Sequence, residues 1–371
     1  MHKVSTKDEM STSTPHDDHD DKDDQDEDSM TASMTSLSLS NVQTKKTPKA
    51  QTKKTPKAPA RWPKPPFKWV GGKTQLLNRI LPRLPTTVEG DYVEPFIGGG
   101  SVLLAVLSMR RVGDITIKGK VRAADANETL IAAFRLLQTD DGEKLAALHA
   151  RLVHYFGTFD GLPVAEKKTA NRTPLHEGEA RSSRESYYYW VRGRFNAEPK
   201  RTVESVAMFW FMNKTCFRGV YREGPRGLNV PYGNPSVTPD VMSLHELRDL
   251  SALLRDVEFT CGDFGPVLDR TKKGDVAFLD PPYYPLNATS FVKYNVDGFD
   301  EPTHERLFAA VGLLREKSVD LVMCNASVPR VHALFAPPEY DVVEVVARRA
   351  IHSKNPEATA TEVIVANDVA A

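Results

Sequence analysis

The chain has 371 residues with 49 basic and 49 acidic side chains, so its formal net charge is zero. It holds no apolar run of the ~18 residues that a membrane-spanning helix needs, and its acidic start lacks the basic and apolar regions of a secretory signal. Cys216, Cys261 and Cys324 lie far apart, form no C-x-x-C pair and match no metal spacing, which points to a reducing, intracellular setting and no metal.

The even balance hides a segregated tail. Residues 1–30 carry eleven acids against three lysines, whereas residues 31–66 carry seven lysines, one arginine and no acid. Rich in Asp, Ser, Thr, Lys and Pro and nearly free of aromatics, residues 1–66 are expected to be disordered. The octapeptide QTKKTPKA stands at 43–50 and again at 51–58, a linker-like array too short for a solenoid. Its basic block reads as a solvated linker, a flexible arm for phosphates, or a nuclear address in a nucleated host. About 300 residues remain for folding, enough for one large domain or a domain with a sizeable insertion.

Phe67-Lys68-Trp69-Val70-Gly71-Gly72-Lys73-Thr74 opens the fold. A phosphate-loop reading of Gly72-Lys73-Thr74 fails. That motif needs a glycine where Phe67 stands and a strand where a Pro-rich linker stands. Residues 75–84 read as a short helix entered from a glycine turn. Its free N–H groups, with Lys73 beside them, suit an anionic group such as a carboxylate.

Residues 91–96 read as a strand, followed by the turn Ile97-Gly98-Gly99-Gly100-Ser101 and a helix over 102–109. The glycines let the backbone approach a ligand closely. They do not spell G-x-G-x-x-G, which disfavours a nicotinamide dinucleotide. A strand over 121–124 ends at Asp125. That acid suits ribose hydroxyls, as in Rossmann-like sites, and equally suits the N-cap of a helix over 128–138.

A helical pattern over 144–156 leads into polar, loop-like sequence over 157–183. Tyr187, Tyr188, Tyr189, Trp190 and Phe195 mark a helix with an aromatic face, an arrangement more often core than binding platform. An apolar helix over 203–212 runs into 213–233, loop or hairpin sequence with Lys214, Phe217, Arg218 and Arg222. Arginine forks suit guanine edges and phosphates, and aromatics can wedge into a base stack. An ordinary ordered loop is the competing reading.

A strand over 257–260 ends at Gly262-Asp263-Phe264. The apolar run Val276-Ala277-Phe278-Leu279 then ends directly in Asp280-Pro281-Pro282-Tyr283, because prolines forbid its continuation. An acid, proline-flanked carbonyls and an aromatic ring are thereby fixed at the carboxyl end of a strand, where ligands bind in open α/β sheets. Together they suit a planar heterocycle bearing an exocyclic amine; the bland alternative is a strand-end turn with a surface acid. Phe291 and Tyr294 are lid candidates. A helix over 305–316, strands over 320–324 and 340–346, the basic Arg348, Arg349 and Lys354, and a strand over 361–366 complete an alternating pattern. Such alternation predicts an α/β fold with a mostly parallel sheet covered on both faces.

Lys68-Trp69-Val70-Gly71-Gly72-Lys73, Glu94-Pro95-Phe96-Ile97-Gly98-Gly99-Gly100-Ser101, Asn229-Val230-Pro231-Tyr232-Gly233 and Asp280-Pro281-Pro282-Tyr283 stand in one order. In that order they closely resemble the Dam-like (D12 class) DNA adenine N6-methyltransferases, over about residues 67–367. The resemblance implies a Rossmann-like, S-adenosyl-L-methionine-dependent methyltransferase sheet. A helical and hairpin target-recognition region over about 140–250 would be inserted in it, after the tail 1–66. It implies transfer of a methyl group to N6 of adenine in double-stranded DNA by a monomer of the cytoplasm or nucleoid; a restriction partner is left open. Trp69, Lys73, Glu94, Phe96, Gly98, Gly100, Asp125, Asp263 and Asp280 would serve the cofactor. Asp280, Pro281, Pro282 and Tyr283 would be catalytic, and Lys68, Lys214, Phe217, Arg218 and Arg222 would meet DNA. GATC is the family's commonest target, but Tyr232-Gly233 replaces the usual Phe-Gly and the hairpin is a residue short. N4-cytosine methylation and a silent DNA-binding module are the alternatives; a serine in place of Asp280 is commoner in the former, and the intact tetrapeptide argues against the latter.

Overall fold

A computed structural model describes residues 62–166, 169–285, 299–348 and 359–367. The repeat, the lid candidates Phe291 and Tyr294, and Arg349 and Lys354 lie outside the described residues. Trp62 packs half-buried against the core and Pro66 is buried. No helix among the described residues is long and apolar enough to cross a membrane.

Among the described residues, seven strands make the central sheet: β1 (Tyr92–Glu94), β2 (Val121–Asp125), β3 (Val257–Cys261), β4 (Val276–Leu279), β5 (Asp320–Ala326), β6 (Tyr340–Arg348) and β7 (Thr359–Asn367). They lie in the order β6-β7-β5-β4-β1-β2-β3. The first five are parallel, and β7 runs antiparallel to both β5 and β6. The sheet winds outward from β1 through β2 to β3, then resumes on the other side of β1 with β4 and β5. The switch point therefore falls between β1 and β4, and the loops leaving those two strands open one crevice.

Among the described residues there are nine helices of six residues or more: α1 (Ser101–Val112), α2 (Glu128–Leu137), α3 (Gly142–Asp160), α4 (Arg184–Ala197), α5 (Val203–Thr215), α6 (Leu244–Leu254), α7 (Phe264–Asp269), α8 (Glu301–Glu316) and α9 (Pro329–Leu334). Strand side chains alternate between two cores, as a period of two requires. Val276 and Phe278 join Phe134, Phe209 and Leu103 on one face. Ala277 and Leu279 join Phe308, Val311 and Phe264 on the other. Every residue of β4 is buried, as expected of a central parallel strand.

Three local outcomes differ from the sequence reading. Residues 73–83 form three single turns instead of one helix, since Pro82 cannot donate to a continued ladder. Asn127, not Asp125, caps α2: its side chain accepts from the Leu130 N–H at 2.8 Å. Within 157–183, α3 continues to Asp160 and a further turn forms at Glu177–Ala180. The aromatic face of α4 is core: Tyr187, Tyr188 and Phe195 are fully buried.

Residues 126–256 separate the adjacent strands β2 and β3. Within them α5 packs on α3 and α4, and its last residues lead into a small antiparallel hairpin, Glu223–Gly224 against Gly227–Leu228. A bridge between Cys216 and Tyr232 closes the base of that hairpin.

Candidate active site

Strand β1 stops at Glu94 because Pro95 has no N–H to continue it. The chain then turns tightly, with Gly98 and Gly100 at φ +49° and +78°, a region that side-chain-bearing residues rarely adopt. The Gly98 N–H donates to Asp125 Oδ2 at 3.0 Å, and Asp125 Oδ1 accepts from the Asn127 N–H at 2.9 Å. Burial raises the Asp125 carboxyl above its usual range while these two amide bonds pull it back. A Cβ on Gly98 would stand 2.8 Å from the Trp69 ring, so glycine here lets the indole lie directly on the turn.

Lys73 is brought to the same edge by its backbone N–H, which donates to Ser101 Oγ at 3.1 Å at the start of α1. Its ammonium stands 2.8 Å from Asp280 Oδ1, donates to the Gly71 carbonyl, and lies 5.0 Å from the centre of the Tyr283 ring. The sequence reading placed Lys73 beside an incoming anion; in the fold its partner is the chain's own Asp280. Lys73 is 3 % exposed and Asp280 19 %, so the pair is reached from the acid's side. Burial works against the Lys73 charge, but Asp280, Cys324 and Glu362 outweigh it and raise its pKa. Burial also lifts the Asp280 carboxyl above the ordinary range, against the lowering pull of Lys73.

Glu94 lies beneath this pair, 1 % exposed, accepting from the Tyr92 hydroxyl at 2.6 Å. Burial pushes its pKa to about 8, the Tyr92 bond opposes that rise, and Asp280 adds to it. At neutral pH Glu94 is therefore mostly protonated, which spares the crevice another anion.

Phe96 packs against Phe264 and Phe299, with centroid distances of 5.4 and 6.1 Å. Asp263, expected near a cofactor, already has partners. Its two oxygens accept from Arg306 Nη1 and Nη2 at 2.7 and 2.8 Å, and one also accepts from the Gly265 N–H. Arg306 in turn holds the Asp263 carboxyl below its usual range.

The basic hairpin is joined to this edge. Asn213, buried at the end of α5, accepts from the Lys68 N–H and donates to the Lys68 carbonyl, both at 2.8 Å. Tyr221 lies 5.6 Å from the Trp69 ring, tilted by 30°. Burial and the neighbouring Lys68 and Lys64 push Lys214 down to about 8. Phe217 is 44 % exposed, and Arg218, at φ +59°, sets its guanidinium 4.8 Å from that ring. Lys68, Lys214, Phe217 and Arg218 are thus gathered together, whereas Arg222 is bonded to Asn229 at 2.8 Å.

Residues the sequence did not single out complete the edge. Glu362 accepts from the Tyr283 hydroxyl at 2.7 Å, and Asn325 Oδ1 accepts from the Tyr284 N–H at 2.9 Å. The one available signal for Glu362 was a lone acid set before an apolar run, Val363-Ile364-Val365-Ala366.

A parallel sheet edged by a reversed hairpin, with an acid-proline-proline-tyrosine corner beside its switch point, defines a mixed α/β fold of the methyltransferase kind. The family model for D12 class N6 adenine-specific DNA methyltransferases matches residues 69–351, and the chain belongs to that family. It is 32% identical over 300 residues to the Type II methyltransferase M.MjaIII of Methanocaldococcus jannaschii, covering 78% of this chain and 93% of that one. It is 28% identical to the DNA adenine methylase of Vibrio cholerae, covering 75% and 87%. The DNA N-6-adenine-methyltransferase of Escherichia phage P1 is also 28% identical; there the match covers 78% of this chain and 33% of the phage protein.

Proposed function

We propose that the chain transfers a methyl group from S-adenosyl-L-methionine to N6 of adenine in double-stranded DNA, at the crevice between β1 and β4. The observation that carries this reading is the Lys73–Asp280 pair, 2.8 Å apart, beside Tyr283 at the carboxyl edge. With Glu94 protonated, Lys73, Asp280 and Glu362 sum to one net negative charge, which suits a cationic donor. S-adenosyl-L-methionine supplies a methyl group already activated on a sulfonium, so the protein's task is positioning and polarisation more than strong base catalysis.

Asp280 and the Pro281 carbonyl accept hydrogen bonds from the N6 amine. These bonds draw the nitrogen lone pair out of the ring and toward the methyl group. As the nitrogen–methyl bond replaces the methyl–sulfur bond, the sulfur would keep the bonding electrons as a neutral thioether and the surplus N6 proton would pass through Asp280 to solvent. Lys73 keeps the Asp280 carboxylate ionised and aimed. Tyr283 stacks on the adenine, which must leave the duplex to reach this edge. Trp69, Phe96, Gly98, Gly100 and Asp125 form the cofactor wall, with Glu94 as its neutral floor. Asp263 acts there through Arg306 and the start of α7, since its carboxylate is already paired.

Residues of about 140–250 form the target-recognition region, with Lys68, Lys214, Phe217 and Arg218 on DNA and Arg222 shaping the hairpin. The Type II name of the M. jannaschii relative supports a restriction–modification setting.

The test is to incubate the full chain with methyl-labelled S-adenosyl-L-methionine and unmethylated duplex DNA, then digest to nucleosides. Label in N6-methyladenine is the expected result, and mapping it yields the recognition sequence, GATC being the first to examine. Label in N4-methylcytosine would overturn the base assignment, and no transfer would overturn the proposed reaction.

A further inference from the structure

The Tyr283 ring is held by a strand that runs the wrong way for a parallel sheet. Its hydroxyl donates to Glu362 Oε2 at 2.7 Å. Glu362 forms the first rung between β7 and β5, opposite Ala326. Because β7 is antiparallel, its early residues lie at the carboxyl edge of the parallel strands. A parallel β7 would put its amino-terminal half at the opposite edge, a strand's length from the tyrosine. The neighbouring position on β5 secures the backbone: Asn325 Oδ1 accepts from both the Tyr284 and the Ala326 N–H, at 2.9 and 2.8 Å. Asn325 and Glu362 thus fix the corner from two adjacent strands, one by its main chain and one by its ring.

We propose that Glu362 is a positioning residue for methyl transfer, acting through the Tyr283 hydroxyl to set the plane on which the target base stacks. This rests on the reading of Tyr283 as the stacking residue. A tyrosine ring turns about two side-chain bonds; anchoring its hydroxyl fixes the first, and because a phenolic O–H lies in the plane of its ring, a bond to a fixed acceptor also favours one setting of the second. A partly buried ring without that anchor turns more freely, so the base is presented less often in the reactive pose. Glu362 also stands near Lys73 and Asp280, so an effect of its charge must be separated from an effect of its hydrogen bond.

The experiment is single-turnover methylation by the full chain, with Glu362→Ala, Glu362→Gln, Tyr283→Phe and the double variant Glu362→Ala/Tyr283→Phe. In parallel, DNA carrying 2-aminopurine at the target position reports base stacking by fluorescence. Loss of one hydrogen bond to a charged group predicts a rate about tenfold to a hundredfold lower in Glu362→Ala. Tyr283→Phe is expected to lose by a similar factor, and the double variant to lose no more than either alone. Glu362→Gln, which keeps an acceptor, retains most of the rate. The 2-aminopurine signal rises in Glu362→Ala and not in Glu362→Gln, although both remove the Glu362 charge.

Multiplying losses in the double variant, or a Glu362→Gln rate as low as that of Glu362→Ala, would overturn the inference. So would full transfer by Glu362→Ala while Tyr283→Ala is impaired, which would leave the reaction itself standing. No transfer by the unaltered chain would overturn both.

Discussion

The carboxyl edge of the sheet and the hairpin over 213–233 both gather charge, and they treat it in opposite ways. At the edge, charge is matched within the protein: Lys73 meets Asp280, Arg306 meets Asp263, and burial keeps Glu94 protonated. At the hairpin, Lys68, Lys214 and Arg218 make no ion pair among the described residues. Burial, with Lys68 and Lys64 close by, depresses Lys214 to about 8. The enclosed part of the matched set, Lys73, Asp280 and Glu94, has few alternative arrangements, which suits the positioning of one reacting amine. Unmatched surface cations suit a polyanion, whose phosphates supply the missing charge and release counterions. The Asn213 clamp on Lys68 and the Trp69–Tyr221 contact tie the two regions together.

The largest effect separates the two most sharply. Asp280→Ala is expected to lower the single-turnover rate by at least ~100-fold, within the range for a lost proton-accepting group. It also strands the buried Lys73, which costs on the order of 3–5 kcal/mol of stability. Adding Lys73→Met should recover part of that stability and none of the activity. Chemical denaturation and single-turnover assays on the same samples check both, and recovery of activity would break the division of labour between the regions.

A second test concerns the protonated acid beneath the pair. The folded-state pKa of Glu94 lies above its unfolded value, so the folded chain holds a proton there that the unfolded chain releases. Stability must therefore fall as pH rises from about 4.5 to 8, by several kcal/mol across that window. Glu94→Gln should flatten this slope. Parallel stability–pH curves for the two proteins would show that the edge carries an ionised Glu94 instead.

Smaller effects belong to the hairpin. Lys68→Ala and Lys214→Ala should each weaken DNA binding several-fold and lower the salt slope of log K by about 1. Neither should change the single-turnover rate at saturating DNA by more than about twofold, as expected of groups that bind substrate and transition state alike. The smallest effect is protonic. Phosphate contact raises the pKa of Lys214, so DNA binding near pH 8 should take up a fraction of a proton, detectable by calorimetry in buffers of different ionisation enthalpy. Lys214→Met should abolish that uptake.

The parts of the molecule legible in the sequence are those whose meaning is contiguous. Asp280-Pro281-Pro282-Tyr283 announces a strand end by chemistry alone, and the turn at Gly98 and Gly100 needs only its own residues. The alternation of apolar runs likewise fixes a mostly parallel sheet. What could not be read depends on partners distant in the chain. Glu362 meets Tyr283 across 79 positions, Arg306 meets Asp263 across 43, and Asn213 meets Lys68 across 145. No local pattern encodes such pairings; they follow from the order in which strands are laid down. Asp125 and Asn127 show a finer limit. Both are good caps two residues apart, and only the path of the backbone decides that Asn127 takes α2 while Asp125 turns to Gly98.

The most direct test of the central claim sets Asp280→Asn beside Lys68→Ala, measuring duplex affinity and single-turnover methyl transfer for each. The account predicts that Asp280→Asn binds DNA within about twofold of the unaltered chain while transferring at least ~100-fold more slowly, and that Lys68→Ala does the reverse. Methyl transfer by Asp280→Asn at the rate of the unaltered chain would contradict it.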